Sequence, residues 1–259
     1  AASFHELRSY PLDPVGDMKF IIFSDVHSNL EAIQSFCRAT EAIPHDKKVC
    51  LGDIVGYNAD PNPAVEWVRE EVDLALAGNH DWCVLNQKDS SYLNPAAYQA
   101  CAWTRRNLTK SNTNFLDTLP VEKEEDGIYW VHSSPFEPKK WHYVSTKKSA
   151  EQNFNFFEQD TCFLGHSHLP GIFEKNKNNK VYSHDSSKMI LDPESRYIIN
   201  VGSLGQPRDG NPDPVFVLYD SGSHSVEFYR FSYDFPSTQQ KIIASGLPSS
   251  LADRLNFGQ

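Results

Sequence analysis

Lys19-Phe20-Ile21-Ile22-Phe23-Ser24-Asp25-Val26-His27-Ser28-Asn29-Leu30-Glu31 is the stretch from which the fold can be read. Its first five residues form a compact apolar run of strand length, stopped at Ser24-Asp25. Ser28 and Glu31 stand three apart as a capping box, the hydroxyl and the carboxylate each serving a free backbone N–H. Leu30, Ile33 and Phe36 then recur at helical spacing. A strand leading straight into a helix is the unit of an α/β fold. It also leaves Asp25 and His27 just beyond the strand, where α/β sheets gather ligands.

The same unit recurs on either side of a short polar cluster. Val49-Cys50-Leu51 ends at Gly52-Asp53, and a helix follows with Asn62 as cap, Pro63 in its first turn, and Val65, Val68 and Val72 as its stripe. Leu74 to Ala77 form a strand ending at Gly78-Asn79-His80-Asp81, and Asn94-Pro95 opens a helix running to about Lys110. Ile128 to Val131 leads into His132. A Phe-rich helix over residues 150–158 precedes the strand Thr161 to Leu164, which runs into Gly165-His166-Ser167-His168. Strands are then expected at 171–174, 181–183, 188–191, 197–201, 215–220 and 225–231, with short helices over 237–244 and 251–255. Alternating βα units followed by antiparallel strands predict a layered α/β fold, a sheet sandwich with helices outside. No linker interrupts residues 19–259, which are expected to form one domain. Residues 1–18 read as an N-terminal extension, with Met18 as an alternative start.

Composition narrows the function. The 259 residues carry a formal net charge of −10, with 39% hydrophobic and 22% charged residues, so disordered and fibrous classes are excluded. An acidic balance argues against broad binding to nucleic acid or to anionic membranes. An anionic substrate stays open, because a bound metal inverts the local field. No segment reaches the roughly 18 apolar residues of a membrane span, and residues 1–18 lack the apolar stretch of a secretory signal. The five cysteines are scattered without a C-x-x-C pair, which favours a reducing, cytoplasmic setting and buried thiols over disulfides. P-loop, G-x-S-x-G, H-E-x-x-H and G-x-G-x-x-G signatures are all missing.

The polar clusters carry the chemistry. Taken singly, Asp25-x-His27 is an ordinary turn or surface pair, and Gly78-Asn79 is turn chemistry. Taken together, Asp, His and Asn stand at five successive strand ends, an inventory exceeding what one four-coordinate ion needs. In extended conformation, His166-x-His168 and Asp25-x-His27 would each put both side chains on one face.

These blocks resemble those of the calcineurin-like metallophosphoesterases: Ser24-Asp25-Val26-His27, Gly52-Asp53-Ile54-Val55-Gly56, Gly78-Asn79-His80-Asp81, His132, and Gly165-His166-Ser167-His168. The resemblance spans roughly residues 19 to 220 and extends to a late loop, Asn200 to Gly210, similar to that of small prokaryotic members. It implies a four-layer αββα sandwich of mixed sheets around a two-metal centre. By the same resemblance Asp25, His27 and His168 would hold one ion, Asn79, His132 and His166 the other, and Asp53 would bridge them. A bridging hydroxide would attack the phosphoester, with His80 as general acid and Asp81 orienting it. Arg208 is the candidate substrate-facing cation, against an equal reading as a turn arginine paired with Asp209. Trp82 and Trp141 fall near the site, whereas the lysine-flanked loop around Trp141 and Tyr143 reads as solvated. Asp81 after Asn79-His80, and Ser133-Ser134 after His132, set the chain apart from the protein Ser/Thr phosphatases of the superfamily. The expected function is a phosphohydrolase using two divalent transition-metal ions (Mn favoured over Fe, Ni, Co or Zn) on a small phosphoester. A phosphodiesterase is preferred. The alternatives are a phosphomonoesterase of the same fold, a non-catalytic metal-stabilised scaffold, and a nuclease. Oligomeric state is left open.

Overall fold

Along Lys19–Phe23 (β1) the side chains alternate between two apolar surroundings, and the layering follows from that alternation. Phe20 and Ile22 cluster with Trp130, Phe163 and Ile199 of a second sheet, while Ile21 and Phe23 cluster with Ile33, Phe36, Val65 and Val68 on helices. A strand apolar on both faces must be covered on both.

The computed structural model describes residues 17–85 and 93–259. The N-terminal extension expected over residues 1–18 lies, up to residue 16, outside the described residues. The elements after β1 are α1 (Leu30–Thr40), β2 (Lys47–Cys50), α2 (Pro61–Glu71), β3 (Leu74–Ala75), α3 (Asn79–Val84), α4 (Pro95–Asn107) and α5 (Lys110–Asp117). Then come β4 (Glu122–Glu125), β5 (Ile128–Val131), α6 (Lys147–Asn153), β6 (Thr161–Leu164), β7 (Gly171–Lys175), β8 (Val181–His184), β9 (Lys188–Ile190) and β10 (Arg196–Asn200). The chain closes with β11 (Val215–Asp220), β12 (Ser225–Arg230), α7 (Phe235–Ala244) and α8 (Ser249–Asp253). Among the described residues two six-stranded sheets form, in the orders β3-β2-β1-β11-β12-β9 and β4-β5-β6-β10-β7-β8. Both are mixed: β1, β2 and β3 run parallel, as do β5, β6 and β10, and the remaining pairs are antiparallel.

Helices α1 and α2 cover the first sheet, and Ala150 of α6 with Phe154 covers Val131, Leu164 and Ile198 of the second. The result is the four-layer αββα sandwich. Helix α4 packs its Ala97 and Ala100 against Ile242, Leu251 and Leu255, which brings the C-terminal segment beside Tyr57. No helix among the described residues is long and apolar enough to cross a membrane.

Several local expectations need correction. The cap of α1 is Asn29, whose side chain accepts from the Ala32 N–H at 3.1 Å, while Glu31 accepts instead from the Thr238 hydroxyl. Helix α2 begins at Pro61 behind Asp60 rather than at Asn62. Helix α6 starts at Lys147, where Thr146 accepts from the Ser149 N–H, so Phe154 and Phe157 lie beyond it and still pack inward. Strand β4, Glu-Lys-Glu-Glu, has no strand signature in its sequence. It forms by pairing with β5 at a sheet edge, where charged residues are tolerated.

Candidate metal centre

Five strands deliver the predicted residues to one place. Asp25 and His27 follow β1, Asp53 follows β2, Asn79 and His80 follow β3, His132 follows β5, and His166 and His168 follow β6. All eight side chains are buried. The local conformation differs from the extended one expected of the paired motifs. Asp25, His27, Asp53, His166 and His168 all have positive φ, between 49° and 63°. Each such non-glycine residue costs on the order of 1–3 kcal/mol and persists only where its surroundings over-determine it. They do so here: the amides of Asp25 and His27 each donate at 2.9 Å to the carbonyls of Gly52 and Asp53, and the His166 amide donates to Asp25 Oδ2. The turn separates the two histidines of His166-x-His168, which enter different clusters.

Among the described residues two three-residue groups have ligand atoms close enough to hold an ion: Asp25, His27 and His168, and Asp53, His132 and His166. Asn79 Oδ1 lies 3.3 Å from His132 Nε2, and Asp53 Oδ2 lies 3.5 Å from His132 Nε2 and 3.7 Å from His27 Nε2, between the groups. Tautomers follow from the partners, since a backbone carbonyl only accepts. His27 Nδ1 donates to the Val55 carbonyl and His168 Nδ1 to that of Gln206, so each neutral ring turns a lone pair inward at Nε2. Those two Nε2 atoms are 3.2 Å apart, and Asp25 Oδ1 beside them has no hydrogen bond. His132 Nδ1 donates to the Leu51 carbonyl, leaving Nε2 among oxygen acceptors, and His166 Nε2 donates to the Trp141 carbonyl, leaving Nδ1 free to ligate. Histidine ligands characteristically spend their second nitrogen on such an outer acceptor. Converging lone pairs of nitrogen and oxygen fit divalent transition metals.

Protonation preferences agree for three of the four histidines in these groups. Burial pushes His27 and His168 down and His166 down to about 3, which keeps them in the neutral, ligating form at neutral pH. Burial likewise pushes His80 down to about 4, against the pull of Asp53 and with the help of Arg208. His132 runs the other way: burial opposes its charge, but Asp53 and Asp25 lift it to about 9. Asp53 is held below the usual carboxylate range despite its burial, by His132, His80 and His27.

Asp81 does not orient His80. Its carboxylate accepts from the amides of Gly78, Ile54 and Val55 at 2.9–3.3 Å and pins two loops together, and burial raises it to about 7. Cys101 Sγ occupies the position beside His80 Nδ1, at 3.4 Å. Arg208 faces the site, donating to the Tyr57 hydroxyl at 3.1 Å, while Asp209 pairs with Arg230 instead. The loop read as solvated in fact brings buried Trp141 to the cleft, with Trp82 packed edge-on behind it at 5.3 Å. The cleft above the histidines, about 290 Å³, is also lined by Tyr57, Tyr143 and Arg254. Tyr57 and Arg254 were not among the residues singled out. Tyr57 directly follows the Gly52–Gly56 block, a signal within reach, whereas Arg254 sits in a C-terminal helical segment with no motif around it.

Residues 18–223 match the family model described as a calcineurin-like phosphoesterase superfamily domain. The chain is 36% identical over 242 residues to an uncharacterised protein of Methanocaldococcus jannaschii, covering 92% of this chain and 97% of that one. It is similar to the crystal structure of a metallophosphoesterase from Sphaerobacter thermophilus, with 34% identity, a TM-score of 0.82, and coverage of 94% of this chain and 100% of that one. A hypothetical protein from Pyrococcus horikoshii shares the fold at 16% identity, with a TM-score of 0.76 over 93% of this chain and 98% of that one.

Proposed function

The chain belongs to the calcineurin-like phosphoesterase superfamily, and from that premise we propose that it is a dinuclear-metal phosphohydrolase acting on a small phosphoester, diester in preference to monoester. The observation that carries the reading is the pair of facing imidazole nitrogens, His27 Nε2 and His168 Nε2 at 3.2 Å, whose other nitrogens are committed to carbonyls. Asp25, His27 and His168 would hold one ion and Asn79, His132 and His166 the other, with Asp53 placed to serve both, and manganese is the favoured metal. When bound, the two ions supply Lewis acidity toward the phosphoryl oxygens and make a water-derived nucleophile available near neutral pH.

The chain's own groups do the rest. Asp53 takes the His80 amide on Oδ1 at 2.8 Å, leaving Oδ2 directed between the two clusters. His80 gives its proton to the leaving oxygen as the P–O bond breaks and the oxygen of water bonds to phosphorus. The proton released by water, passed on through solvent, returns His80 to the imidazolium form. His80 alone is neutral at pH 7, so a phosphoryl anion arriving beside it is the counter-charge that favours its protonation. The cleft of about 290 Å³ above the histidines, lined by Tyr57, Trp141, Tyr143 and Arg208, has room for a second substituent on phosphorus, which supports the diester reading. The test is turnover of aryl phosphate mono- and diesters with added Mn²⁺, with and without chelator. Absence of metal-dependent turnover across that panel refutes the proposal.

A further inference from the structure

The cleft has a cationic end that the hydrolytic centre does not explain. Arg208 and Arg254 both lie against the ring of Tyr57, each guanidinium carbon 5.6 Å from its centroid. The same ring packs on His27 and His80, at 4.6 and 4.4 Å between centroids, so one aromatic joins the two arginines to the proton-donating side of the site. Among the described residues no carboxylate side chain pairs with either arginine. Arg208 Nη2 is spent on neutral acceptors, the Tyr57 hydroxyl and Gln206 Oε1, and its Nε is buried without a partner. Arg254 Nε donates to the terminal carboxyl oxygen of Gln259 at 2.5 Å, so the charge of Arg254 is met on that side alone. Burial first, and the neighbouring Arg208 charge next, weaken the hold of Arg254 on its proton. Two like charges kept together in a cavity wall are relieved by an anion between them. Two guanidiniums and a phenol present donors enough for the oxygens of a phosphoryl group.

We propose that Arg208, Arg254 and Tyr57 form a second phosphoryl subsite, so that the substrate's leaving group is itself phosphorylated. The inference rests on the hydrolytic reading above and narrows it. The scissile phosphorus sits at the paired histidine clusters. The phosphorylated leaving group lies toward His80 and the arginines. The remaining substituent lies toward Tyr143, which is 55% exposed and stacks on His166 at 4.3 Å. Organic diphosphates are the smallest molecules with that layout.

Two experiments separate the subsite from the hydrolase. In chelator-treated protein, titration with inorganic pyrophosphate is expected to bind at least about tenfold more weakly to Arg254→Gln than to the parent, with Arg254→Lys between them, the scale set by loss of a charge-assisted hydrogen bond. Unfolding transitions of the three proteins serve as the check on folding. In Mn²⁺-loaded protein, Arg254→Gln is expected to raise KM for an organic diphosphate about tenfold more than for p-nitrophenyl phosphate. Equal pyrophosphate binding by all three proteins, or equal KM changes on the two substrates, overturns the subsite. Failure of the loaded parent to turn over either substrate refutes the hydrolase instead, and the metal-free titration still decides whether the arginines hold phosphoryl groups.

Discussion

Gly78→Ala tests the packing beneath the centre without replacing any of the proposed ligands. Gly78 has φ −100° and ψ −177°, a conformation open to any residue, so space alone opposes alanine. A Cβ built there would lie 2.0 Å from Asp53 Oδ1 and 2.5 Å from the Asp53 amide nitrogen, where ordinary contact begins at 3.4 Å. Rotation of the carboxylate relieves the first clash but not the second, so the Gly52–Asp53 turn itself must move. Overpacking of that kind costs about 1–3 kcal/mol. Loss of the bond from the His80 amide to Asp53 Oδ1 adds about 1.5–3 kcal/mol, because the acceptor is charged. For a chain of this size each kcal/mol lowers the melting point by roughly 2–4 °C, so a fall on the order of 10 °C is expected. Gly171→Ala is the matched control, since its Cβ would meet nothing within 4 Å, and a change within about 1 kcal/mol is expected. Thermal unfolding by circular dichroism, with metal content by elemental analysis, reads both effects. If Gly78→Ala melts within about 2 °C of the parent and keeps its metal, the packing account is wrong.

Other perturbations separate the roles of the buried groups. Asp53→Asn preserves the volume and the acceptor for His80 while removing the charge shared by both clusters. Its metal affinity should fall by more than the roughly 10–100-fold typical of outer-sphere changes, and full metal retention contradicts the bridging role. His80→Ala should keep its metal and lose about 10²–10⁴ in kcat on alkyl leaving groups, with a smaller loss on p-nitrophenyl esters that need no acid. Equal losses on both would remove it from proton transfer. Asn200 donates to the Gly165 carbonyl and Ser167 Oγ at 2.8 Å and accepts from the Gly202 amide, tying down the turn that bears His166 and His168. Asn200→Ala should therefore cost about 2–4 kcal/mol in urea unfolding, because buried partners are left unmet.

The strand ends were legible because short apolar runs stopping at polar clusters leave little ambiguity. Ile128–Val131 and Thr161–Leu164 fall where periodicity puts them. What escaped the sequence was decided by tertiary partners. Strand β4 is charged throughout and exists through its pairing with β5. The α1 cap moved from Ser28 to Asn29 because Asn29 is also held by the Gly205 carbonyl, which its amide donates to at 2.9 Å. At the site, the family blocks identify which residue types converge, but not the left-handed turns that split His166 from His168. Nor do they show that the Asp81 carboxylate is saturated by three backbone amides. Arg254 was beyond reach, for its approach to Tyr57 depends on how α8 packs on α4, which no local pattern encodes.

Each ligand group spans the two sheets. Asp25 and His27 descend from β1 but meet His168 from β6, and Asp53 descends from β2 but meets His132 and His166 from β5 and β6. A cation held by either group would be a rivet across the sandwich, and the seam between sheets would be the part of the molecule most responsive to metal supply. At a free concentration a thousandfold above its dissociation constant, one such ion adds about 4 kcal/mol to the folded state. Starved of metal, the sandwich should loosen first along this seam, with hydrogen exchange quickening in β1 and β6 before the outer helices yield.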